Sequence, residues 1–69
     1  MKKFMLKLTK GNDEIILAVC NTLEDAISEG EEFRKHLTMD AGVLSVIRTD
    51  VDENNNRKGN SYRLYHAWV

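Results

Sequence analysis

The chain contains no proline, a single cysteine and two histidines in 69 residues. One thiol excludes an internal disulfide framework and fits a reducing, cytoplasmic setting, where disulfides are rare. Cys20, His36 and His66 do not stand at zinc-ligand spacing. No apolar run approaches the length of a membrane span. The apolar stretch over residues 4–8 is short and broken by Lys7, unlike the core of a signal peptide. Neither sign of charge dominates, since 10 Lys+Arg face 11 Asp+Glu for a net charge of -1. That balance argues against a protein that coats nucleic acid through bulk positive charge. There is no glycine-rich phosphate loop and no carboxylate pair in an apolar setting, so no enzyme and no cofactor is expected.

Hydrophobic residues make up 42% and charged residues 30%, the mix of a folded globular protein. At this length one domain over residues 1–69 is expected, with a modest core. The first twenty residues read as a β-hairpin. Gly11-Asn12 is a two-residue turn signal between alternating strands. Turning there pairs Lys10 with Asp13, Leu8 with Ile15, Leu6 with Leu17 and Phe4 with Val19, which makes one face of the ribbon apolar. The other face then carries Thr9/Glu14, Lys7/Ile16, Met5/Ala18 and Lys3/Cys20, and a slip of one residue would undo that sorting.

A helix is predicted over residues 23–37. Thr22 is a good N-cap, with Asp25 at the capping-box position. Leu23, Ala26, Ile27, Gly30, Phe33 and Leu37 form one apolar stripe. Acidic residues crowd the first turns and Arg34, Lys35 and His36 the last, as the helix dipole favours. Two more strands are predicted over residues 43–50 and 61–68. In the last, Leu64 is the aliphatic residue well inside the strand, so its face, shared with Tyr62, His66 and Trp68, is assigned to the helix. The expected fold is α+β: ββαββ, a four-stranded, mostly antiparallel sheet with one helix packed on one face.

One helix covers one face of such a sheet. The other face would carry Lys3, Met5, Lys7, Ile16, Ala18, Cys20, Ile47, Arg63 and Tyr65, a mixture of apolar and basic groups. Exposed mixtures of this kind mark interaction surfaces, although antiparallel sheets also tolerate a solvated face. Lys3, Met5, Lys7, Ile16, Ile47, Arg63 and Tyr65 are therefore the candidate partner-binding residues. Arg63 and Tyr65, with Lys3, Lys7 and Arg48 in support, could also pair phosphates and stack bases of a single strand. Two other constellations fall short. Asp50-Val51-Asp52-Glu53-Asn54 opens like a calcium loop, but Asn55 replaces the turn glycine and Ser61 the bidentate glutamate. A Cys20–His66 dyad has no local motif behind it.

The stretch Gly59-Asn60-Ser61-Tyr62-Arg63-Leu64-Tyr65-His66-Ala67-Trp68, following Val43-Leu44-Ser45-Val46-Ile47, resembles small uncharacterised proteins carried by phages and mobile elements of Gram-positive bacteria. The layout of the whole is similar to that of some small anti-CRISPR proteins, which occlude a nucleic-acid groove or a partner site. The resemblance implies a small cytoplasmic protein of a mobile genome that acts by binding. The expected function is thus a non-enzymatic interaction module that binds a protein partner or itself through the open sheet face, without membrane insertion. The alternative is a single-stranded nucleic-acid-binding protein that uses a basic, aromatic sheet face.

Overall fold

In a computed structural model, which describes residues 1–38 and 41–68, the element order is ββαββ. Strands β1 (Lys2–Lys10) and β2 (Asp13–Cys20) precede helix α1 (Leu23–His36), and β3 (Val43–Val51) and β4 (Arg57–Trp68) follow it. The sheet has the order β2-β1-β3-β4, and every pairing is antiparallel. Gly11 takes a positive φ of 61°, which the tight hairpin turn requires and glycine accepts without strain. Helix α1 starts where expected. The Thr22 hydroxyl accepts a hydrogen bond from the Asp25 amide at 3.1 Å, and the extended conformation of Leu37 ends the helix.

Each hairpin contains a point where one strand holds one residue more than strict alternation allows. In the first, Lys10, Thr9, Leu8 and Lys7 pair with Asp13, Glu14, Ile15 and Ile16 as anticipated. A bulge at Leu17 then shifts the register, and Leu6, Met5 and Phe4 meet Ala18, Val19 and Cys20. The expected pairs Leu6/Leu17, Phe4/Val19, Met5/Ala18 and Lys3/Cys20 are replaced. Ala18 and Cys20 accordingly move from the open face to the helix side, where Leu17 packs as well. The gain is more apolar surface under the helix: a bulge re-aims the strand beyond it, so Leu17, Ala18 and Cys20 all serve the core.

The second hairpin repeats the device. Leu44, Ser45 and Val46 pair with Trp68, Ala67 and His66, but Ile47 meets Leu64, which leaves Tyr65 as the extra residue. The assignment of Leu64 and Tyr62 to the helix face is corrected by this shift. Leu64 shares the face of Ile47 and is 56% exposed. Arg63 lies opposite Arg48, itself opposite Phe4 of the helix-side core, so Arg63 falls on the helix side of the sheet. Tyr65 lies there too, edge-on to Phe4 with ring centroids 5.2 Å apart. A further irregularity between Thr49 and Val51 carries β4 back to Arg57, earlier than the expected start at residue 61.

The main core joins Leu6, Ala26, Leu44, Val46 and Trp68. Trp68 crosses Gly30 of α1, and its indole N–H donates to Glu31 Oε1 at 3.0 Å. A Cβ on Gly30 would lie within 2.7 Å of Trp68 Cζ2 and Cζ3. Close approach of helix and tryptophan thus accounts for a glycine in the apolar stripe.

The opposite face carries no helix, yet it is not open. Met5, Ile47 and Val51 form a second buried cluster, beside buried Lys7, Ser45 and Thr49. The edge strands cover it. Glu14 sits opposite Thr9 and so beside Val43, whereas Arg57 sits opposite Val51. In a flat sheet those positions would stand about 26 Å apart along the strands. Instead Arg57 Nη1 donates to Glu14 Oε2 at 3.3 Å. Twist and bulges bring these diagonal corners together over the face.

Gly30→Ala is expected to destabilise the protein despite a helix-propensity gain of about 1 kcal/mol, because overpacking against Trp68 costs about 1–3 kcal/mol. Urea denaturation followed by tryptophan fluorescence measures the balance. A variant as stable as the parent would mean that the Trp68 contact is not tight.

Candidate functional site

The register of β3 and β4 sets two arginines directly opposite one another, Arg48 and Arg63. Like charges in that position repel. Among the described residues neither guanidinium has a carboxylate at ion-pair distance. Each lies on an aromatic ring instead: Arg48 Cζ is 5.5 Å from the Phe4 centroid and Arg63 Cζ is 5.2 Å from that of Tyr65. Because Phe4 and Tyr65 also meet edge to face, two cations and two rings form one lattice at the surface. Cation–π contact holds the guanidinium planes while leaving their N–H donors free for another acceptor.

This lattice forms part of the wall of a cleft of about 450 Å³, whose cationic lining is completed by Lys2 and Lys58 and whose aromatic lining is Tyr62 and Tyr65. The Thr49 hydroxyl donates to the Ser61 carbonyl at 2.8 Å, which pins the irregular part of β4 across the cleft floor. The carboxylate of the cleft, Asp50, is engaged by the α-ammonium of Met1 at 2.8 Å. That hydrogen bond, with the charges of the α-ammonium and Lys58 behind it, holds Asp50 below the usual carboxylate range. Asp50 therefore stays ionised but is already matched, and the cleft presents an excess of positive charge beside tyrosine rings. Such a surface suits an anion carried on a planar, stackable group.

On the other face of the sheet lies a second charged cluster, from which the cleft borrows one wall. Lys7 is only 4% exposed. Its ammonium binds Glu14 Oε1 at 3.2 Å and stands 4.2 Å from the centroid of the Tyr62 ring. Arg57 Cζ lies 5.4 Å from the same ring, and its guanidinium reaches the other oxygen of Glu14. Hydrogen bonding from Lys7, then its charge, with Arg57 adding to both, holds Glu14 below the usual carboxylate range. A buried lysine is tolerable when it is paired in this way.

The residues singled out from sequence are dispersed. Arg63 and Tyr65 come together in the cleft, on the side of the sheet opposite to the one expected. Met5 and Ile47 are core, and Lys7 is sealed beneath Tyr62. Lys3 is half-buried and donates to Asn21 Oδ1. Ile16 is 37% exposed on β2. Sequence reasoning gave no role to Lys2, Arg57 or Lys58; the run Arg57-Lys58 close before a strand that contains Arg63 was the available signal.

The remaining candidate chemistry takes other forms. Among the described residues no hydrogen bond joins Cys20, at the end of β2, to His66 on β4. Burial pushes the Cys20 thiol up, with Glu29 and Asp25 adding to the effect, which disfavours the thiolate. The Asp52 carboxylate accepts from the amides of Asn54 at 2.8 Å and Asn56 at 3.0 Å, and Asn55 takes the positive φ of 64°. The calcium-like segment is thus an Asx-type turn. Among the described residues no group of three or more His, Cys, Asp or Glu is placed to hold a metal ion, and no helix is long and apolar enough to cross a membrane. No protein-family model, curated protein or solved structure matches the chain.

A carboxylate whose folded-state pKa is depressed contributes stability that is complete above its unfolded value and is lost as pH falls through the folded one. Glu14 and Asp50 both have this sign. Urea midpoints are therefore expected to fall as the solution is acidified through the carboxylate range, and to fall less in Glu14→Gln. Parallel pH profiles for parent and variant would show that the Lys7–Glu14–Arg57 cluster adds nothing to folding.

Proposed function

We propose that this protein is a small non-enzymatic binding module of a phage or mobile element whose ligand is single-stranded nucleic acid, held in the cleft between Arg48, Arg63 and the two tyrosines. The observation that carries the reading is the Arg48/Arg63 pair, set against aromatic rings without a carboxylate partner among the described residues. Like-charge repulsion across a strand pair is unfavourable in the free protein, and a phosphate bound between the two guanidinia relieves it. Tyr62 and Tyr65 offer ring faces to a base, a contact indifferent to sequence. The net charge of -1 restricts such binding to the cleft. Glu24, Asp25, Glu29, Glu31 and Glu32 on α1 repel a backbone elsewhere.

A second reading is a module that binds a protein partner or a second copy of itself. The observation favouring it is the edge strand β2, where Ile15 is 54% exposed and Ile16 and Val19 are each 37% exposed. No charged residue follows Glu14 in that strand, so the edge lacks the usual protection against pairing. On the face once expected to be open, a partner would meet Ile16, Tyr62 and Leu64, because Met5, Ile47 and Lys7 lie beneath the surface.

Fluorescence anisotropy of a labelled oligothymidylate, titrated at several salt concentrations, separates the readings. The nucleic-acid reading expects binding at low salt that weakens steeply as salt rises. Arg48→Gln and Arg63→Gln should each flatten the log–log salt slope by about 0.7, and Tyr65→Ala should weaken binding by about 1–3 kcal/mol. Absence of binding at low salt would overturn it. Light scattering that reported a dimer would then favour the second reading.

A further inference from the structure

The cluster around Tyr62 uses three charged groups, none of which lines the cleft. Lys7 reaches the ring from β1, Arg57 from the start of β4, and Glu14 from β2 ties both together. Tyr62 is thus held by two cations that would otherwise be drawn apart by solvent and pushed apart by each other. Glu14 supplies the balancing charge, and it does so from the opposite edge of the sheet. We infer that Glu14 is the positioning residue of the cleft: by clamping Lys7 and Arg57 on Tyr62 it fixes one aromatic wall and withholds these two cations from the bound strand.

The burial pattern agrees with withholding. The side chain of Lys7 is 6% exposed and that of Arg57 17%, whereas Glu14 retains 42%. Arg57 Nε is buried without a hydrogen-bond partner among the described residues, a cost that the guanidinium bears while it spans from Tyr62 to Glu14. Arg57 also adjoins Lys58, which does line the cleft. If the clamp opens, Arg57 is the cation best placed to swing beside Lys58 and meet a phosphate. The clamp therefore governs two properties of the site at once, how firmly a base stacks and how many phosphates are neutralised.

The proposal rests on the nucleic-acid reading of the cleft, and its test keeps the two separable. Binding of an oligothymidylate and of an abasic oligonucleotide of equal length is compared across salt for the parent, Glu14→Gln and Arg57→Gln. In Glu14→Gln the released Arg57 should steepen the salt slope by about 0.7, while the preference for the base-bearing strand falls several-fold. In Arg57→Gln the preference should fall similarly without a steeper slope, since no cation is released. Proton NMR reads the clamp directly. The Lys7 ε-methylene signals should lie upfield in the parent, under the Tyr62 ring, and return toward ordinary values in Glu14→Gln with the Trp68 signals unmoved. A folded Glu14→Gln that kept the parental slope and base preference, or the parental Lys7 shifts, would overturn the positioning role alone. A parent that bound neither oligonucleotide would overturn the cleft reading and the inference with it, even if the Lys7 shifts behaved as described.

Discussion

Two residues without cross-strand partners, Leu17 and Tyr65, determine where most of the other side chains go. Each is the odd member of its hairpin at a single-residue shift of register. An extra residue reverses the facing of everything beyond it and sharpens the local twist. In β2 the reversal delivers Ala18 and Cys20 to the helix. In β4 it splits a strand that reads as uniform, sending His66 and Trp68 to one side and Tyr62 and Leu64 to the other. The added twist brings Glu14 and Arg57 into contact across the face that has no helix. Without those two bulges the sheet would coil less over the face that has no helix.

This curvature solves a problem of size. A short chain with one helix can cover one sheet face, and a flat sheet would leave Met5, Ile47 and Val51 in water. Coiling lets the edge strands act as the second cover, so both faces contribute apolar burial, the dominant favourable term in folding. The charged cluster of Lys7, Glu14 and Arg57 is the seam of that closure. It is polar because it lies where two edges meet solvent. A buried lysine there requires its partner, which ties the chemistry of the seam to the shape of the sheet.

Charge is sorted with comparable economy. Glu24 and Asp25 lie in the first turn of α1, where the dipole favours them, and Arg34, Lys35 and His36 in the last. Of the remaining cations, Lys2, Arg48, Lys58 and Arg63 gather around one cleft together with two tyrosines. A net charge near zero thus conceals two strongly unlike surfaces. The basic one is where an external anion would be drawn, because the carboxylate within it is already matched by an ammonium.

Much of the architecture was local and therefore readable. The Gly11-Asn12 turn, the Thr22 cap, the apolar stripe of α1 and the order ββαββ each depend on a few neighbouring residues and on periodicity. The early pairs of the first hairpin, from Lys10/Asp13 to Lys7/Ile16, follow from the turn alone. Beyond Leu17 the reading failed, because a bulge is chosen by what the helix needs beneath it and not by the strand that carries it. The same holds for Arg63 and Tyr65. Their residue types suggested a basic, aromatic surface, but the side of the sheet they occupy and the company of Arg48, Lys2 and Lys58 were settled by the shift at Tyr65. By itself the sequence determined the elements, their order and the chemistry available. Only the tertiary structure decided which face each side chain joined, because facing depends on long-range packing across four strands that no local pattern encodes.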